Sequence, residues 1–234
     1  MFQFLERTST KDRFGPARIH YLHIGKTAGN QIKYVLKAIQ QENPGTRFQL
    51  HPHSTRLERL HPDARYFFSI RHPVTRFKAA FYERKRQDHG RNLWSSHEEE
   101  SFASFDHAVE LAEALFDDSE RGRAARDSIW SIEHMRKPQS QWFVPLGHFL
   151  KKRPPVWIVR QERLDDDLDE LFSRLNLLAV PTARAGKSEA KITSYTDIPE
   201  LSAHAIENLS RWYTTDIQFY RDCCDWLESQ APAQ

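Results

Sequence analysis

Three short runs rich in branched and aromatic residues stand along the chain, at 18–24 (RIHYLHI), 65–71 (RYFFSIR) and 154–160 (PPVWIVR). Such side chains suit a pleated, partly buried surface, so each run reads as a strand. After the first run, Ile32, Val35, Leu36 and Ile39 fall at i, i+3, i+4 and i+7, one face of a helix. Asn43, Pro44 and Gly45 stop that helix. After the second run Pro73 suits a first helical turn, and Val74, Phe77 and Phe81 give the helix its inner face. After the third, Leu164, Leu168, Leu171, Phe172 and Leu175 keep helical spacing. A shorter strand is expected at 47–51. The near-continuous apolar text of 65–71 predicts a strand covered on both faces, as in a parallel sheet.

The remaining pattern is coarser. Residues 87–100 are polar and read as a loop, 102–116 as one amphipathic helix, and 121–135 as another. Residues 181–197 form a loop carrying Arg184, Lys187 and Lys191, and 199–229 form one or two closing helices. Strands alternating with helices predict an α/β fold, an open, mainly parallel sheet flanked by helices. The 234 residues fit a single domain, with the polar stretch 1–17 as an N-terminal arm.

Composition narrows the function. Lysine and arginine exceed aspartate and glutamate by only two, so no bulk field for nucleic acid or a membrane surface is implied. No apolar run is long enough for a membrane span, and no signal-peptide pattern opens the chain. The two cysteines, Cys223 and Cys224, are adjacent, which argues against a disulfide framework and for a reducing cytoplasm. Twelve histidines occur, but not at the spacings of zinc sites.

The first strand runs into Gly25-Lys26-Thr27-Ala28-Gly29 and then a helix. Strand–turn–helix junctions hold anions, because N–H groups at the helix start lack internal partners and the helix dipole favours negative charge there. Glycine lets backbone approach a ligand. Lys26 adds a full charge, and Thr27 and Asn30 add polar side chains. The stretch ends like a nucleotide-binding P-loop, but His20 stands where a P-loop has its first glycine.

These residues carry a resemblance. HIGKTAGNQI, 23–32, resembles the 5′-phosphosulfate loop of sulfotransferases that use 3′-phosphoadenosine 5′-phosphosulfate (PAPS). It is closest to the carbohydrate group of heparan and chondroitin type, whose loop commonly reads PKTAGTS. Gly25 replaces the usual proline, and Asn30 and Gln31 replace hydroxyl residues whose hydrogen bonds their amides can supply. FSIRHPVTRFKAAFYER, 68–84, resembles the 3′-phosphate segment, with Arg71 at a strand's C-terminal end and Ala79 where the family has serine. A guanidinium suits a phosphate by two parallel bonds. LHPHSTRL, 50–57, resembles a segment in which a histidine is the base toward the acceptor hydroxyl. His53 is preferred as that base and His51 as its support. Neutral imidazole suits the task. GKSEAKITSYTDIPE, 186–200, resembles the late loop that closes over the nucleotide, with Lys187, Ser188, Lys191 and Thr193 as candidate contacts. The resemblance spans residues 19–220.

What the resemblance implies is sulfuryl transfer from PAPS to an alcohol, with adenosine 3′,5′-bisphosphate leaving and no metal required. Lys26 would neutralise the leaving phosphate, and Gly25, Lys26, Thr27, Ala28, Gly29, Asn30 and Gln31 would hold the 5′ end. The acceptor is expected to be a saccharide, on which Trp94 or Trp142 could stack. Two other readings stay open: a nucleotide-binding protein of the same fold without turnover, and a small-molecule kinase using Gly25-Lys26-Thr27 on ATP.

Overall fold

The run at 66–70 is an inner strand with all five residues buried, as expected where both faces of a parallel sheet are covered. It belongs to a computed structural model that describes residues 17–86, 94–144, 148–177 and 198–230. In chain order, β1 (Ala17–Leu22) leads to α1 (Gly29–Glu42), β2 (Thr46–Leu50), β3 (Tyr66–Ile70) and α2 (Pro73–Arg86). A run of helices follows: α3 (Ser96–Ser104), α4 (Ala108–Ala114), α5 (Glu120–Ser131) and the single turn α6 (Phe149–Lys152). The chain then gives β4 (Ile158–Arg160), α7 (Leu164–Arg174), α8 (Ala203–Trp212) and α9 (Thr214–Ser229).

Among the described residues the sheet is wholly parallel, in the order β2-β1-β3-β4. This is the α/β fold that the alternation predicts. Leu22 of β1 pairs with Phe68 of β3, so the segments that leave both strands emerge at the same sheet edge. Ligands in open α/β sheets bind beyond that edge, at the C-terminal ends of the strands. One apolar core joins the sheet to α1, α7 and α9 through Ile32, Leu36, Phe67, Phe68, Leu168, Phe172 and Phe219. A second joins α2 to α4, α5 and α8 through Phe77, Phe81, Leu111, Ile129 and Leu209.

Two local expectations change. The polar text at 87–100 predicts a loop, yet a helix begins at Ser96. Ser95 and Glu98 form a capping box in which each side chain satisfies the other's backbone N–H. The apolar pattern of 102–116 predicts one helix, but α3 ends at Ser104 and α4 starts at Ala108. Phe105, fully buried in extended backbone, breaks them apart. The closing segment is two helices, parted at Tyr213.

Glu98 does more than cap. Its carboxylate accepts from Arg84 Nε at 2.6 Å and Nη2 at 2.8 Å, and from the Glu133 N–H at 3.3 Å. Burial alone raises its carboxyl, but Arg84 and the Ser95 and Glu133 amides reverse this and hold it at about 2. Glu98→Ala would remove the two-pronged carboxylate contact to Arg84 and the capping box together. The expected loss is about 3 kcal/mol of unfolding free energy at neutral pH, read from urea denaturation, with the folded baseline signal preserved.

Candidate anion-binding site

The loop between β1 and α1 has alternating backbone. Lys26 has φ 68° and Ala28 has φ 65°, both left-handed. Alternation of this kind turns successive N–H groups toward one side and makes a concave anion seat, here capped by the start of α1. Thr27 is fully buried beneath it. Its hydroxyl donates to the Ile24 carbonyl at 2.8 Å and lies 2.7 Å from Ser69 Oγ, which lies 2.8 Å from the Tyr21 hydroxyl. Proton accounting fixes the direction: Tyr21 donates to Ser69, and Ser69 to Thr27. The Thr27 hydroxyl is therefore engaged within the fold. Asn30 is exposed on the first turn of α1, and Gln31 is half-buried beside it.

The two glycines have a packing task that the sequence does not show. A β-carbon at Gly29 would stand 1.7 Å from His23 Nε2, and one at Gly25 would stand 2.5 Å from His134 Nδ1. Imidazole rings press on both positions and leave no room for a side chain at either.

Two cations meet the loop. Lys26, with a side chain only 10 % exposed, pairs its ammonium with the Glu83 carboxylate of α2. Arg76, 3 % exposed, lies deeper. Its Nε donates to the Gly25 carbonyl at 3.0 Å and its Nη1 to the Lys137 carbonyl at 3.1 Å, with Asp216 Oδ2 3.9 Å from Nη1. Arg76 Nη2 is buried without a partner among the described residues. Burial pushes the Asp216 carboxyl up and the Arg76 guanidinium down, and their mutual attraction opposes both shifts.

Asp216 also accepts from the Gln139 N–H at 2.6 Å and from Gln139 Nε2 at 3.3 Å. Gln139 in turn accepts the Arg71 N–H at 3.0 Å and donates to the Arg71 carbonyl at 2.8 Å. One buried polar chain thus runs from Gly25, through Arg76, Asp216 and Gln139, to Arg71. The Arg71 guanidinium follows β3 and donates to Thr75 Oγ1 at 3.1 Å. Ala79, in place of serine, is buried. Lys187, Ser188, Lys191 and Thr193 lie outside the described residues.

The histidines gather in two groups. His51 Nε2 is 2.9 Å from His20 Nδ1, with the rings stacked at 5.2 Å. His53 lies over His23, ring centres 4.0 Å apart, and meets His134 edge-on at 5.4 Å. His51 and His53 follow the end of β2, where strand alternation no longer applies, so the pair faces different neighbours. His53 Nδ1 is 2.8 Å from the His23 carbonyl. A carbonyl only accepts, so Nδ1 carries the proton and Nε2 keeps a lone pair. Among the described residues no group of three or more His, Cys, Asp or Glu side chains converges as a metal site.

Residues 12–221 match the model of the sulfotransferase family. The chain belongs to that family. No curated protein matches the chain individually. Membership makes this chain a transferase for sulfuryl groups, and a parallel sheet with a loop at β1 suits it. Sequence reasoning overlooks four residues at this sulfotransferase site: His23, Glu83, Arg76 and His134. His23 lies inside the quoted loop and Arg76 and Glu83 inside the quoted arginine segment. Nothing in spacing marks His134. Two tryptophans considered for stacking are committed elsewhere: Trp94 donates to the Arg84 carbonyl and packs on Phe102, and Trp142 is buried.

Burial, then nearby positive groups, pushes His23 and His134 down to about 3. The unfolded chain binds those protons near the ordinary 6.5, so acid favours unfolding as soon as pH drops below that value. The melting temperature should be flat above about pH 7 and fall steadily between about pH 6.5 and 5. Glu98 loses its contribution only at lower pH, so it does not obscure this window. His134→Asn should flatten the slope there, as read by thermal denaturation across a buffer series.

Proposed function

We propose that this sulfotransferase uses PAPS as donor, passes the sulfuryl group in line to a hydroxyl of a saccharide, and employs His53 as base. The observation that carries this reading is His53 itself: a ring on the rim of the loop, with its proton fixed on Nδ1 and a lone pair on Nε2. General bases need that arrangement before they need any particular pKa.

The loop residues fit a phosphosulfate. The left-handed turns of Lys26 and Ala28 suit N–H groups turned to one side, α1 adds its dipole, and the buried Arg76 keeps an Nη2 with no partner among the described residues. PAPS supplies an activated sulfuryl group. The chain's own tasks are to neutralise charge on the leaving phosphate, through Lys26, and to accept the hydroxyl proton, through His53. Alignment and fixed charge are the main contributions a protein makes to such transfers. Arg71 shares a sheet edge and a hydrogen-bonded chain with the loop, and this supports its assignment to the 3′-phosphate. Saccharide preference rests on the carbohydrate-type motifs quoted above. No helix among the described residues is long and apolar enough to cross a membrane. The unbridged Cys223 and Cys224 suit a reducing compartment, and we propose the cytoplasm.

Thermal shift separates this from the kinase reading. Adenosine 3′,5′-bisphosphate should raise the melting temperature without Mg²⁺, as any ligand specific to the folded state does; stabilisation by ATP with Mg²⁺ alone would overturn the donor assignment. Arg71→Ala should weaken the bisphosphate by about 1.5–3 kcal/mol, as for a lost charge-assisted bond. The same calorimetry on adenosine 5′-phosphate should show little change. His53→Ala should bind the bisphosphate as the unmutated chain does, yet lose about 10²–10⁴ in turnover. Full turnover in that variant would remove His53 from the chemistry.

A further inference from the structure

The segment that follows α5 is held at every second residue. The Glu133 N–H donates to Glu98 Oε1 at 3.3 Å, and the Met135 carbonyl accepts from the Tyr213 hydroxyl at 3.1 Å. The Lys137 carbonyl accepts from Arg76 at 3.1 Å, and the Gln139 N–H donates to Asp216 at 2.6 Å. His134 stands between the first two anchors with φ 70°. Few side chains adopt left-handed backbone, although histidine does so more readily than most. Such strain persists only where the surroundings over-determine it, and it gathers at functional sites.

The ring so held is aimed at the loop. It covers Gly25, next to Lys26, and meets the His53 ring edge-on at 5.4 Å. His134 therefore lies between the side assigned to the leaving phosphate and the residue assigned to the acceptor proton. It is half-buried, and among the described residues its ring nitrogens make no hydrogen bond. Its ring nitrogens are not among the buried polar atoms that lack a partner, so they reach solvent and are open to a ligand's hydrogen bond. Burial keeps this imidazole neutral, so it offers one N–H and is a poor proton acceptor.

We propose that His134 is a third residue of the reaction site, donating its N–H to an oxygen of the sulfuryl group. The assignment rests on the sulfuryl-transfer reading above. In the step itself, the bond from sulfur to the phosphate oxygen breaks and its electron pair stays on the phosphate. A bond forms from the acceptor oxygen to sulfur, and the acceptor proton passes to His53 Nε2. His134 keeps its proton throughout. It holds the oxygens that neither bond uses, so it fixes the direction in which sulfur travels.

The donor alone tests this, without knowledge of the acceptor. PAPS and adenosine 3′,5′-bisphosphate differ by the sulfuryl group, so the ratio of their affinities isolates contacts to that group. The ratio is measured by calorimetry for the full chain, for His134→Asn and for His134→Gly. Both replacements accept left-handed backbone, but only asparagine retains an N–H donor. His134→Gly should lower the PAPS-to-bisphosphate ratio about tenfold, the usual scale for one lost hydrogen bond to a charged group. Bisphosphate affinity should stay within about twofold, and His134→Asn should restore most of the ratio. An unchanged ratio in His134→Gly, or equal weakening of both nucleotides, would overturn the proposal and leave only a packing role. An unmutated chain that binds neither nucleotide would overturn the donor reading, and this inference with it. Should the variants not fold, imidazole ¹⁵N spectra of the unmutated chain decide: the His134 N–H signal should move with PAPS and stay put with the bisphosphate. A signal that moves equally with both would overturn the assignment.

Discussion

The buried guanidinium of Arg76 is the constraint on which the site's geometry depends. Removing such a group from water costs several kcal/mol unless charge and hydrogen bonds compensate. Here the compensation comes from separate parts of the chain: the Gly25 carbonyl of the loop, the Lys137 carbonyl after α5, and Asp216 of α9. Each must be present and correctly placed, or the charge is stranded. The side chain from α2 thereby fixes the loop against a segment more than a hundred residues later in the sequence. Asp216 passes the constraint through Gln139 to both backbone groups of Arg71. The spacing between the two proposed phosphate seats is set by this buried chain rather than by exposed loops.

A division of electrostatic labour follows. Burial keeps His23 and His134 uncharged, so positive charge at the loop comes from Lys26 and Arg76, neither of which depends on a histidine proton. Lys26 already has an anionic partner in Glu83, a 43 % exposed carboxylate, and an arriving phosphosulfate would compete with it for the same ammonium. Arg76, in contrast, is buried and held by three partners, and contributes its charge from within the fold. The cation with an exposed partner and the fully buried one suit different moments: entry of an anion, and charge that builds on a leaving oxygen.

How much of this was legible in the sequence depends on the range of the interactions. The strands and the helices that follow them are written in local periodicity, and Arg18 to Ile70 reads almost directly. The loop and Arg71 are legible as motifs because their chemistry is carried by adjacent residues. The break at Phe105 was not, since Phe102 through Phe116 keeps an apolar pattern across it; only the packing of Phe105 into the second core decides the matter. The start of α3 was written in Ser95 and Glu98, a capping box masked by the surrounding polar text. Thr27 reads as a ligand donor in isolation, and becomes a structural hydroxyl only when Ser69, 42 positions away, is placed beside it. His134 and the role of Arg76 depend wholly on such distant partners.

The bare face of Gly29 has a consequence beyond the present chain. An imidazole at 23 and a β-carbon at 29 cannot share the same space. Substitutions at these two sites are therefore coupled: a lineage that gains alanine or serine at 29 must first, or together, exchange His23 for something smaller. His23 in turn offers the carbonyl that sets the His53 tautomer, but that contact is made by backbone and survives any change of the ring. The route by which this loop can drift is thus narrow in order yet open in outcome, with a β-carbon at 29 arriving no earlier than the loss of the ring.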